Sequence, residues 1–137
     1  MQRPHPPILI GGYGIAAVER AVKLGDGFVG GNVPLEQVHL LSSELSRRAE
    51  SAGRDPHGLR IVSRGVYRVC DSAQGANRRP LWGTLQEIRD DIERYSEAGL
   101  TELFLEANVD PTGVVSETDP TAAVERTLAV MHRLAQS

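Results

Sequence analysis

The chain has 137 residues, 40% of them hydrophobic and 24% charged, with a net charge of −3, which fits one globular domain. The negative balance and the 4% aromatic content speak against a nucleic-acid partner, which needs a basic surface and stacking rings. The single cysteine, Cys70, excludes an internal disulfide framework and fits a reducing cytoplasm. No apolar run approaches the ~20 residues of a membrane span, so no membrane partner is expected.

Residues 1–7, Met1-Gln2-Arg3-Pro4-His5-Pro6-Pro7, carry three prolines and no apolar segment. They read as an extended lead and not as a secretory leader. Ile8-Leu9-Ile10 predicts a short buried strand that runs into Gly11-Gly12-Tyr13-Gly14. A helix is expected over 15–24, with Ile15, Val18, Ala21 and Val22 on one side and Gly25 closing it. A second short strand over 27–29 ends in Gly30-Gly31-Asn32. Residues 34–52 form the strongest helical pattern, with Leu35, Val38, Leu41, Leu45 and Ala49 recurring every three or four positions before Gly53.

Residues 59–69 are rich in Val, Ile and Tyr and predict a third strand. The polar stretch 71–80, with Gly75 and Pro80, reads as a loop. Thr84-Leu85-Gln86-Glu87 is a capping box. It opens a helix whose stripe is Leu85, Ile88, Ile92, Tyr95 and Ala98 and which ends at Gly99. Residues 101–106 predict a fourth strand, with 103–105 buried, and 109–118 a loop. Asp119-Pro120 is an N-cap followed by proline at the first helical position. In the helix it starts, Val124, Leu128, Met131 and Ala135 are expected to face inward.

Four strands alternating with four helices imply a parallel sheet of right-handed βαβ units. Two architectures meet that pattern. Gly12-Tyr13-Gly14-Ile15-Ala16-Ala17 matches the G-x-G-x-x-A turn of a Rossmann-like dinucleotide-binding module. That fold expects an acidic residue at the end of the second strand, and Gly31-Asn32 stands there instead. The other architecture is half of a (β/α)8 TIM barrel, whose complete form takes about 250 residues. Either way the first glycine loop directs backbone N–H groups and a helix N-terminus at one spot, which suits a phosphate; a tight strand-to-helix turn would use the same residues.

Pro6-Pro7-Ile8-Leu9-Ile10-Gly11-Gly12, followed by Ala21-Val22-Lys23-Leu24-Gly25-Asp26-Gly27-Phe28, resembles the luciferase-like monooxygenase superfamily. Its members include bacterial luciferases, flavin-dependent monooxygenases and coenzyme F420-dependent oxidoreductases. Ala52-Gly53-Arg54-Asp55-Pro56 is similar to the family's turn after its sixth helix. Pro80-Leu81-Trp82-Gly83-Thr84 and the run from Ile92 to Leu103 are similar to its seventh helix and eighth strand. The resemblance runs from about Pro4 to about Leu134, is strongest to actinobacterial F420-dependent members, and covers only the family's C-terminal half.

The resemblance implies a single partial luciferase-like domain, with 1–7 as lead and 8–137 as four βα units. It implies an oxidoreductase or monooxygenase that moves a hydride through a bound deazaflavin or flavin, with coenzyme F420 as cofactor and FMN as the alternative. It implies a small-molecule substrate, and a partner that is either a second copy or a missing N-terminal half. Half a barrel is expected to be inactive by itself, and a non-catalytic half-barrel that folds by association is the competing reading. Gly11, Gly12, Tyr13 and Gly14 resemble the loop that wraps the cofactor phosphate, and Gly31 and Asn32 follow the second strand on the same face. No catalytic residue is assigned. Arg78 and Arg79 read as a solvated loop pair that an anionic tail could also use. Glu106, Asn108 and Asp110 follow the last strand on the face where barrel enzymes act and read as turn residues that substrate hydroxyls could also use. His5, His39, His57 and His132 show no metal-ligand spacing with each other or with Cys70.

Overall fold

The structure is a computed structural model that describes residues 5–106 and 119–135. Its elements in chain order are β1 (Leu9–Gly11), α1 (Ile15–Leu24), β2 (Gly27–Gly31), α2 (Leu35–Ser51), β3 (Arg60–Val66), β4 (Arg68–Val69), β5 (Trp82–Gly83), α3 (Leu85–Glu97), β6 (Glu102–Glu106) and α4 (Pro120–Ala135). Four strands form one sheet in the order β1-β2-β3-β6. β1 pairs parallel with β2 in the register Ile10 to Phe28, and β2 parallel with β3 in the register Val29 to Val62. The four strands of this sheet alternate with the helices, and no described helix is long and apolar enough to cross a membrane.

The described chain gathers into two compact units. One runs through residue 64 and takes in 94–104; the other holds 65–93 and the chain from 105 onward. In the first unit, Ala17, Val18, Ala21 and Val22 of α1 and Val38, Leu41, Leu45 and Ala49 of α2 are buried. Those are the apolar stripes read from the sequence, apart from Ala17, which joins them, and Ile15 and Leu35, which stay half-buried at the two helix starts. Phe28 and Val62 of the sheet are buried with them. Fully burying a side chain of this class contributes ~1.5–3 kcal/mol, so these stripes dominate the unit's stability.

Arg54 fixes how α1 ends. Its guanidinium donates to the Val22 carbonyl at 2.5 Å and the Gly25 carbonyl at 2.8 Å, satisfying C-terminal carbonyls that the helix leaves open. The turn Ala52-Gly53-Arg54 therefore has a packing role, with Gly53 at φ 67° letting the chain leave α2. Arg54→Ala is expected to lower the unfolding free energy by about 1.5–3 kcal/mol, the range for a hydrogen bond from a charged group. Urea unfolding checks it, and a change below ~0.5 kcal/mol would reduce these contacts to surface decoration.

In the second unit the capping box is present. Thr84 N donates to Glu87 Oε2 at 2.8 Å, and Glu87 N donates to Thr84 Oγ1 at 3.3 Å. The Asp119 cap is present too, its Oδ1 accepting from Thr121 N at 2.9 Å. The long strand expected over 59–69 is instead divided: β3 stops at Val66, and β4 pairs with β5 in a small separate sheet.

Two burial expectations are corrected. Ile8 and Phe104 are 50% and 58% exposed, because β1 and β6 are the two ends of the sheet and each has a strand on one side only. The stripe Val124, Leu128 and Met131 of α4 is exposed at 58%, 52% and 43%, and Ala135 is exposed as well. The adjacent face, one residue and ~100° round the helix, turns inward instead: Val130 is buried and Ala123, Thr127 and Leu134 are half-buried. Burial raises the pKa of the Tyr67 hydroxyl, opposed by Thr127 and Arg126 of α4. The sequence period placed the inward stripe one residue away from the one that is covered.

Candidate functional site

The glycine loop after β1 and the turn after β2 meet in the first unit. They line a cavity of about 200 Å³ formed by Gly12, Tyr13, Gly14, Gly31, Asn32, Val33, Pro34 and Gln37, with Phe28 and Leu41 behind them. Five of the six residues singled out for cofactor binding are therefore together. Gly11 is not among the lining residues.

Two helices start at this cavity. Gly14 is the N-cap of α1, with φ 70°, a conformation glycine adopts at little cost. Pro34 is the N-cap of α2. Neither start has a side-chain cap, and α1 has no acidic residue in its first turn. Helix starts leave backbone N–H groups without internal partners. Here Gly12 N is taken, donating to Val29 O at 3.3 Å. Among the described residues, the N–H groups of Tyr13, Gly14, Ile15 and Ala16 meet no acceptor. An anion in the cavity would supply one, and each helix dipole adds ~0.3–1 kcal/mol.

The second turn is held in place by Ser63 and Arg64, which the sequence reading passed over, and by Tyr95, which it read only as part of an apolar stripe. Val33 N donates to the Ser63 hydroxyl at 3.2 Å, and Asn32 N donates to Arg64 O at 2.8 Å. Ser63 is only 1% exposed. Tyr95 donates its phenol proton to Val33 O at 3.3 Å. Asn32 thereby sits at φ 49°, a left-handed position that asparagine tolerates better than most residues. Arg20 was also missed. It is exposed, and a Cβ placed on Gly12 would lie 3.3 Å from its Nη2. Its place three residues after Ala17, on the helix that the loop opens, is the signal that could have found it, since helical side chains lean toward the N-terminus.

Of the remaining candidates, Arg78 departs most from expectation. It is not a solvated loop residue: its side chain is 12% exposed and Nη1 lies 2.5 Å from Asp91 Oδ2, a carboxylate only 1% exposed. Arg78 Nε is 3.3 Å from Glu87 Oε1, and its Nη2 donates to Glu87 O at 2.9 Å. Asp91 also raises the Arg78 pKa, chiefly through that hydrogen bond. Hydrogen bonds from Thr84 N first, and then from Gln74 N, lower the pKa of Glu87. Arg79 is exposed and lies 5.3 Å from the centroid of the Trp82 ring. Glu106 is half-buried at the end of β6, while Asn108 and Asp110 lie outside the described residues. No group of three or more His, Cys, Asp and Glu side chains that could hold a metal occurs among the described residues.

Residues 1–130 match the sequence profile of the family described as luciferase-like monooxygenase. No curated protein sequence matches the chain. Among solved structures it is similar to the monooxygenase RslO1 from Streptomyces bottropensis, at TM-score 0.69 and 23% identity over 98% of this chain and 48% of that one. It is similar to an F420-dependent secondary alcohol dehydrogenase solved with an F420-acetone adduct, at TM-score 0.68 and 14% identity over 96% and 50%. It is also similar to riboflavin lyase (RcaE), solved with modified FMN and riboflavin, at TM-score 0.63 and 10% identity over 91% and 44%. The chain thus spans about half the length of each.

Proposed function

This chain belongs to the luciferase-like monooxygenase family, and from that premise we propose that it carries the phosphate subsite of a flavin-type cofactor, coenzyme F420 first and FMN second. One observation carries the reading. Two helix starts without side-chain caps open on one cavity lined by Gly12, Tyr13, Gly14, Gly31 and Asn32. Its roughly 200 Å³ is below the ~300–1,000 Å³ of pockets that enclose a drug-sized ligand. It suits a phosphate and the start of a tail, not a three-ring system. When bound, the cofactor supplies the hydride chemistry; the residues here would hold its anionic end in one place.

The same reading assigns 8–137 to one partial barrel domain and makes assembly part of the function. An eight-stranded barrel has no free edge, whereas β1 and β6 end this sheet with Ile8 and Phe104 exposed. A second copy or an N-terminal half would add the four strands that close it and the remaining wall for ring and small-molecule substrate.

The test is to measure native mass and to titrate F420 and FMN separately into the purified chain, alone and mixed with an N-terminal half from a relative. Saturable binding of one cofactor, with oxidoreductase turnover only in the assembled form, is the expected result. A stable monomer that turns a cofactor over would overturn the assembly part. A folded chain that binds neither cofactor in any form would overturn the phosphate subsite.

A further inference from the structure

The second unit contains a cavity of about 220 Å³ lined by Cys70, Gln74, Asn77, Arg78, Arg79 and Trp82. None of these residues is acidic, although the chain as a whole is at −3. We propose that this is a second binding site, for a small organic anion of the carboxylate or phosphate-ester class, held by Arg79 and Asn77 beside Trp82.

The two neighbouring arginines of the sequence have separate fates here. Arg78 is spent on the fold: Asp91 and Glu87 neutralise it, and it donates to backbone carbonyls on both sides of the loop. That fixes the floor of the cavity. Arg79 forms no ion pair or side-chain hydrogen bond among the described residues, and neither does Arg68. Both guanidiniums lie on the same indole, with Cζ 5.5 Å and 5.3 Å from the ring centroid. Each such contact at an exposed site contributes only ~0.5–1 kcal/mol, and the two like charges repel. Of the two, only Arg79 lines the cavity, and an anion there gains charge-assisted hydrogen bonds from it.

The rest of the lining adds selectivity. The Asn77 amide makes no hydrogen bond among the described residues, so it is available to a ligand oxygen. Gln74 is oriented by donating Nε2 to Ser72 O at 2.8 Å and its backbone N to Glu87 Oε1 at 3.1 Å. The volume suits a one-ring acid or a short phosphate ester, not a nucleotide. The site shares no residue with the glycine-lined cavity and stands or falls separately from the phosphate reading there.

Trp82 is the only tryptophan of the chain, so its emission reports this site alone. Benzoate and inorganic phosphate are titrated separately, with chloride keeping the ionic strength constant, and calorimetry follows the same titrations independently of the ring. A saturable response is expected with at least one of them; the arm that responds identifies carboxylate or phosphate as the recognised group. Arg79→Gln should weaken that binding at least tenfold and Asn77→Ala several-fold, with far-UV circular dichroism unchanged, while Gly31→Leu leaves it intact. No saturable response to either anion would overturn the proposal. So would Arg79→Gln binding as tightly as the parent, or phosphate binding that disappears in Gly31→Leu and persists in Arg79→Gln.

Discussion

Asp91→Ala is expected to lower the unfolding free energy by about 3–5 kcal/mol, the cost of removing one partner from a buried ion pair. The magnitude follows from what the carboxylate does. Oδ2 accepts from Arg78 Nη1 at 2.5 Å and from Leu81 N at 2.7 Å, and Asp91 is 1% exposed. Its loss leaves a guanidinium that is 12% exposed with Glu87 as its remaining ion partner, and it strands the Leu81 N–H, which the fold has desolvated. Asp91→Asn keeps an acceptor for Leu81 N and loses the charge, so its cost should be clearly smaller. Replacing Arg78 and Asp91 together by Met and Leu should recover much of the loss, because an apolar pair of similar volume is often as stable as a buried ion pair. Urea unfolding followed by Trp82 emission and by circular dichroism measures all three. If Asp91→Ala cost less than ~1 kcal/mol, the cluster would be solvated in solution and the loop 74–83 would not be anchored to α3 as described.

That cluster also shows what a single sequence can and cannot tell. The capping box at Thr84 and Glu87, the stripes of α1 and α2 and the Asp119 cap were readable because each is local: the partners lie within about one or two helical turns. The alternation of strands and helices carried the parallel sheet with it. Arg78 was not readable, because its partner lies thirteen residues away on a helix whose rotation depends on packing. Its neighbour Arg79 looks the same in sequence and has the opposite environment. The α4 stripe failed for a related reason. Periodicity says that Val124, Leu128 and Met131 share a face, but what covers a face is a tertiary fact. Here the side with Ala123, Thr127 and Val130 is the one turned inward.

The candidate site was legible in its glycines and not in its supports. Gly12, Gly14, Gly31 and Asn32 announce turns in any α/β sequence. Ser63 looks like an ordinary polar residue in a strand, yet it is the hydrogen-bond acceptor that positions Val33 N at the start of α2. One detail of the expected site also changes. Gly12 N belongs to the sheet ladder through Val29 O, so the donors left for a ligand begin at Tyr13. Gly12→Val is accordingly a poor probe of binding. Its Cβ would come within 2.8 Å of the Ala17 Cβ at a φ of 151°, and the variant should lose stability whatever it does to affinity.

Gly31→Leu separates the two effects, and it is expected to weaken F420 or FMN binding at least tenfold, about 1.4 kcal/mol, with the unfolding midpoint nearly unchanged. Gly31 has no left-handed φ, and the nearest atom to a Cβ there is the Tyr13 hydroxyl at 3.5 Å, an ordinary contact. The backbone therefore accepts a side chain without strain. The added isobutyl group has the cavity of roughly 200 Å³ to occupy, which is the space assigned to the phosphate. Gly53→Ala supplies the opposite control. Gly53 has φ 67°, nothing within 4 Å of its Cβ and no part in the cavity, so Gly53→Ala should lose about 1–2 kcal/mol of stability, the cost of a side chain in the left-handed region, and bind cofactor like the parent. Affinity by fluorescence titration and stability by urea unfolding, measured on the same preparations, give the comparison. If Gly31→Leu bound cofactor with parental affinity while remaining folded, the two helix starts would be turns and nothing more, and the family's cofactor would have to be held elsewhere.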